Sequence, residues 1–274
     1  MGAIIQNREK VPREATLIFH HIPKTAGTTL DGVIDENYPA DRIFTVESPI
    51  VDSLDAFRAQ SDETKRQWRV IRGHGLHGLH AALTQPAIYA VLLREPILRV
   101  VSQYYFIRNS PGHPRHAAII ERGITLLDYL RHAVNPQADN GQVRALSGVG
   151  GGLGPEVPFG ACTEAMLAAA RRNVAEQYAL VGLTARFDEF LVLAQRALGW
   201  RRIGYSRRKV TQHRPSLESL SPAERKALQD CNALDLELYE TAVRLVEATR
   251  RRQSFFFPLA VARFQWRNAR GRAA

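Results

Sequence analysis

Apolar positions along the chain change period at short intervals, and those changes predict strands alternating with helices. Thr16–Ile22 is a continuous apolar run of β-formers, the pattern of a strand covered on both faces. Pro23 ends it, Lys24 to Gly27 read as a tight turn, and from Thr28 the spacing of Leu30, Val33 and Ile34 is that of one helix face. The succession returns at Tyr89–Leu93, which runs through Arg94-Glu95-Pro96 into a helix. Its apolar stripe is Ile97, Val100, Val101, Tyr104 and Tyr105, with Arg99 and Ser102 off the stripe. A third instance is Tyr178–Leu183, after which Thr184 is set to cap a helix over Ala185–Leu198. Between these lie short strands at Asp41–Glu47 and Val70-Ile71, an exposed helix over Ser53–Gln67, and helical pattern within Ile119–His132 and over Thr163–Gln177. A capping box at Ser221 and Glu224 opens one long helix running toward Arg252, with Cys231 in its apolar seam. This order predicts an α/β fold: a mostly parallel sheet of four or five strands flanked by helices, ending in a helical C-terminal segment. Residues 16–252 are read as one core domain, residues 1–15 as a polar lead-in and residues 253–274 as a basic aromatic tail.

The candidate chemistry sits where strands give way to helices. A strand, a small-residue loop and a helix aim backbone N–H groups and a positive helix end at an anion. Gly27 lets the backbone approach closely, Thr28 and Thr29 can cap the helix and donate hydroxyls, and Lys24 adds a charge. The loop is not a Walker motif, because Lys24 precedes Gly27 instead of following the last glycine. Arg94, at the end of the Tyr89–Leu93 strand, and Ser102 in the next helix can meet a second phosphate across the crevice.

PKTAGTT followed by REP and a spaced Arg, Ser and Tyr-Tyr resembles the sulfotransferases that use 3′-phosphoadenylyl sulfate (PAPS), most closely the carbohydrate branch containing the heparan sulfate 2-O-sulfotransferases. The likeness runs from about Thr16 to Ser147. It implies a P-loop-like nucleotide-binding core and transfer of a sulfuryl group from PAPS to a hydroxyl, with 3′-phosphoadenosine 5′-phosphate (PAP) as product and no metal. By that resemblance Lys24, Thr25, Ala26, Gly27, Thr28 and Thr29 hold the 5′-phosphosulfate, and Arg94 and Ser102 hold the 3′-phosphate. Lys24 also takes a catalytic role. His74, in the Gly-His step after the predicted strand Val70-Ile71, matches the position of the base. The basic loop Arg201–Pro215 falls where the family closes a loop over the nucleotide, which makes Arg208, Lys209 and Thr211 cofactor candidates. Asp139–Gly148 resembles a further family segment, in which Asn140 and Arg144 face the acceptor or else cap and pack.

The histidines carry alternatives. His74, His77 and His80 recur every third residue among Gly73, Gly75 and Gly78. Metal ligation is disfavoured, since no acidic or Cys partner lies nearby and the glycines oppose a helix. His74 or His77 in such a loop can equally bind substrate. His20 and His21 are rival bases, or acceptor contacts, and strand alternation should leave only one of them near the site.

Composition bounds the rest. At 274 residues the chain can bury a full core, and its 45% apolar and 23% charged content is ordinary. The net charge of +10 calls for an anionic partner: a polyphosphorylated donor, an acidic glycan, or nucleic acid on charge alone. A Mg²⁺-dependent kinase and a non-catalytic polyanion binder are therefore carried as alternatives. Cys162 and Cys231 cannot build a disulfide framework. No signal peptide or membrane-length stretch is read, so a soluble, cytoplasmic, bacterial-type protein is expected. The tail could pack or lie peripherally on an anionic membrane surface.

Overall fold

The computed structural model describes residues 11–12, 14–132, 134–149, 157–206 and 216–270. Five strands form one all-parallel sheet in the order β2-β3-β1-β4-β5: β1 Thr16–His20, β2 Ile43–Thr45, β3 Val70–Gly73, β4 Ala87–Leu93 and β5 Tyr178–Leu183. The helices in chain order are α1 Gly27–Asp35, α2 Ile50–Arg58, α3 Asp62–Gln67, α4 Pro96–Arg108, α5 His116–Glu121 and α6 Leu126–Arg131. They continue with α7 Gly141–Ser147, α8 Glu164–Glu176, α9 Phe187–Leu198, α10 Pro222–Cys231, α11 Ala233–Arg251 and α12 Phe257–Arg270. The α/β class read from the apolar periodicity is the fold observed.

Alternation along the strands splits the core in two. Ile18, Tyr89, Val91 and Leu93 point to a face covered by α2, α7, α8 and α11. Leu17, Phe19, Ile88, Ala90 and Leu92 point to the opposite face, covered by α1, α9 and α12. A satellite core under α4, α5, α6 and α10 contains Val101, Tyr104, Ile119, Tyr129 and Leu228. Every residue of β1 and β4 is buried, as strands inside a parallel sheet must be. The chain leaves β1 toward β2 and β3 on one side, and β4 toward β5 on the other. The crevice between the carboxyl ends of β1 and β4 is therefore the topological switch point.

Two helix predictions need correction. Ser53–Gln67 is two helices; Leu54 and Phe57 of α2 are core residues, and Ser61 caps α3 by accepting from the Thr64 amide. The helical pattern within Ile119–His132 is α6, which Gly123 at φ +58° separates from α5 and which Thr125 with Asp128 opens in a capping box. The long C-terminal helix breaks at Asn232, whose side-chain amide donates to the carbonyls of Ala138 and Leu228 at 2.9 and 3.0 Å. Thr184, predicted as a helix cap, instead places its hydroxyl 2.9 Å from the Thr25 carbonyl and 3.2 Å from that of Leu93. It ties the first loop to the end of β4.

Candidate functional site

The first loop bends through two non-glycine residues in the left-handed region, Lys24 at φ +68° and Ala26 at φ +73°. Such conformations cost about 1–3 kcal/mol each and persist where the surroundings enforce them. Here the Thr25 hydroxyl donates to the Ile22 carbonyl at 2.9 Å, Thr184 holds the Thr25 carbonyl, and Thr25 is fully buried. Ala26 is the N-cap of α1 and no side chain caps it. That corrects the capping role predicted for Thr28 and Thr29, which lie inside the first turn. A helix leaves its first amides without an intrahelical acceptor, so the amide end of α1 opens at this loop. Gly27 is dictated by crowding: a Cβ there would stand 2.0 Å from the ring of His21.

The two motifs meet. The Arg94 guanidinium donates through Nη1 to the Lys24 carbonyl at 2.9 Å, across the β1/β4 crevice. The Lys24 ammonium lies 3.9 Å above the centre of the Phe106 ring. Glu95 caps α4 by accepting from the amides of Ile97 and Leu98, with Pro96 in its first turn. Ser102 lies two turns into α4 and is buried, as is Arg99; both had been placed off the apolar stripe. The reason is that α4 is covered on two sides. Arg99 forms a fully buried pair with Asp235 of α11 at 3.5 Å and also donates to the Gln137 carbonyl at 2.7 Å.

Alternation sends His20 and His21 to different places. His20 turns into the core, with Nδ1 2.7 Å from the Tyr178 hydroxyl. Desolvation, reinforced by His77 and His74, drives its pKa down to about 3. A residue so enclosed is not the acceptor contact it was predicted to be. His21 leaves the strand end toward Gly27, with Nδ1 3.7 Å from the Asp31 carboxylate and its ring 4.8 Å from that of His74. Asp31 is also 4.0 Å from Arg72, which donates to Asp35 at 2.7 Å.

His74 follows β3, where the His21 amide donates to the Gly73 carbonyl at 2.8 Å. His74 Nδ1 is in hydrogen-bond contact with the His21 carbonyl. A carbonyl can only accept, so Nδ1 carries the proton and Nε2 keeps its lone pair. Burial lowers the His74 pKa, partly opposed by this bond. His77 is half-buried farther along the loop, against Gly148 and Asn173.

Of the two roles open to Asn140 and Arg144, facing an acceptor or capping and packing, the structure shows the second. Arg144 is fully buried, pairs with the Asp139 carboxylate and donates to the Val157 and Pro158 carbonyls. Asn140 sits at φ +47° before α7, its side-chain oxygen accepting from the Asp235 amide at 3.0 Å. Asp235 in turn accepts from the amides of Gln142 and Val143, capping α7 from α11. The segment's link to the site runs through Gln142, which the sequence reading did not single out. Its Oε1 accepts from the Arg94 amide and its Nε2 donates to the Arg94 carbonyl, both at 2.9 Å. The available signal was its place between Asn140 and Arg144 in a segment already marked.

Arg208, Lys209 and Thr211 lie outside the described residues. A cavity of about 890 Å³ borders the preceding residues 201–206, between α1, α9 and α12; among the described residues, Thr29 is the only predicted site residue that lines it. Among the described residues, no group of three or more His, Cys, Asp or Glu could hold a metal ion, and no helix is long and apolar enough to cross a membrane. No protein-family profile and no curated protein matches this chain.

Proposed function

We propose that this protein is a sulfotransferase that moves the sulfuryl group of PAPS to a hydroxyl, most fittingly on a carbohydrate. The observation that carries the reading is the contact of Arg94 with the Lys24 carbonyl at the switch point. It brings a left-handed, amide-rich loop with a lysine and a fixed guanidinium into one crevice, a donor set suited to two separate phosphates. Bound PAPS would supply the sulfuryl group and a phosphate leaving group. His74 Nε2 takes the acceptor's proton as the hydroxyl oxygen forms its bond to sulfur. The bond from sulfur to the bridging phosphate oxygen breaks, and Lys24 neutralises the charge left on that oxygen. Lys24 must leave the Phe106 ring to do so, a contact worth about 0.5–1 kcal/mol at an accessible site. Arg94, with Ser102, anchors the 3′-phosphate and so orients the donor.

His21 is the rival base, favoured by its place 3.7 Å from Asp31. Turnover of His74→Ala against His21→Ala separates the two. Thermal shift tests the donor: PAP should raise the melting temperature without divalent metal and more than ADP does. Equal shifts from PAP and ADP, or a shift from ATP only with Mg²⁺, would overturn the reading in favour of a kinase or a general nucleotide binder.

A further inference from the structure

Helix α12 carries two stripes, and only one is used by the fold. Phe257, Val261, Phe264 and Asn268, spaced 4, 3 and 4 apart, face the protein. Phe257 and Val261 are buried, Phe264 lies against Tyr205, and Asn268 accepts from the Tyr205 amide at 2.8 Å. The opposite stripe is Leu259, Arg263, Trp266 and Arg270, spaced 4, 3 and 4 apart and preceded by Phe256 just before the helix; every member is exposed, and Arg263 at its edge also borders the cavity. Phe255 extends it at the helix start, 92% exposed, and Phe256, Leu259 and Trp266 are each more than half exposed. The Arg270 guanidinium lies 3.8 Å above the Trp266 ring. After Glu247 the sequence holds seven arginines and no Asp or Glu.

Large exposed aromatics on a monomer's surface mark a contact. Which contact is decided by the charge around them. A protein groove would match the apolar stripe and leave the arginines unanswered, and a simple polyanion would leave the phenylalanines and Leu259 in water. Aromatic and leucine side chains on one exposed face, bordered by arginines with no acid among them, match the boundary between anionic headgroups and acyl chains. We propose that the outer face of α12, with Phe255 and Phe256, docks the protein on an anionic phospholipid surface. The inner stripe holds the helix on the protein while the outer one seats in the headgroup layer. This inference stands on the geometry of α12 and does not depend on the transfer reaction.

The test uses the full chain with phosphatidylcholine vesicles, with and without phosphatidylglycerol. Co-sedimentation is expected only with the anionic vesicles. Bromolipid should quench Trp266, because Trp200 is buried and Trp68 half-buried inside the fold. Phe256→Ser with Leu259→Ser should weaken binding by about tenfold or more, since both side chains then stay polar at the interface. Arg263→Gln and Arg270→Gln should each weaken it by roughly fivefold, from about 1 kcal/mol per arginine near such a surface. All three variants change exposed side chains, so their melting temperatures should match the parent, which separates lost docking from lost folding. Three results would overturn the proposal. One is no binding to anionic vesicles. Another is binding to a soluble polyanion such as heparin with vesicle binding indifferent to the Phe256/Leu259 change. The third is self-association that the same change abolishes, without vesicle binding.

Discussion

Burial moves the imidazoles of His20 and His74 in the same direction, toward the neutral form, and the two sites turn that into different measurements. If His74 is the base, its neutral ring is the active form, so turnover should rise with pH through a midpoint below the ordinary value of about 6.5. A midpoint above that value would remove His74 from the role. His74→Ala should cost on the order of 10²–10⁴-fold in turnover and leave PAP affinity nearly unchanged. For His20 the consequence is stability. Its folded pKa of about 3 lies below the unfolded value of 6.5, so between those pH values the unfolded chain binds more protons. Stability is then complete above pH 6.5 and falls as pH drops toward 3, with a slope approaching about 1.4 kcal/mol per pH unit. Denaturant midpoints across that window should show the slope in the parent and a shallower one in His20→Gln, which keeps a partner for Tyr178. Gly27→Val forces a Cβ onto the His21 ring, and should lower both turnover and PAP affinity.

At the scale of elements, the site depends on a helix that touches no predicted ligand. α7 is capped by Asp235, which balances Arg99 in the core, and its Gln142 grips both backbone groups of Arg94. Burial pushes the Asp235 carboxyl up, and Arg99 and the α7 amides pull it back. Asp235→Ala leaves Arg99 buried without its carboxylate and α7 without its cap. The cost should be about 3–5 kcal/mol by chemical denaturation, far above that of an exposed pair such as Lys226–Asp230. This layer is also what the sequence concealed. Strands buried on both faces and the helices beside them announce themselves through periodicity, which is why β1, β4, β5 and the loop residues from Lys24 to Thr29 were legible. A buried polar side chain in an otherwise helical pattern carries no such mark. Arg99 reads only as a residue off the apolar stripe, and Arg144 stays open between an acceptor contact and a packing group, because their partners, Asp235 and Asp139, are assigned only by tertiary packing. The helix break at Asn232 was missed for the same reason, since the apolar spacing continues across it.

At the scale of the molecule, Lys24 and Arg94 are 70 residues apart and meet only because β1 and β4 are neighbours in the sheet. Gln142 reaches the same point from 48 residues farther along. If that junction holds the 3′-phosphate, Gln142 and Arg94 should act as one unit, because Gln142 does nothing to the ligand except through the Arg94 backbone. Gln142→Leu removes both amide contacts at little change in volume, and should weaken PAP binding while affecting ADP much less. Arg94→Ala should weaken PAP binding further, and Arg94→Lys should recover only part, since a point charge replaces a fork. The double variant Gln142→Leu with Arg94→Ala is the decisive one. Affinities measured by calorimetry should fall short of additivity, with a coupling of about 0.5–3 kcal/mol, since the second change removes support for a group already gone. Additive losses would mean that Gln142 shapes the crevice independently of Arg94, and the junction would then be scaffold instead of a phosphate site.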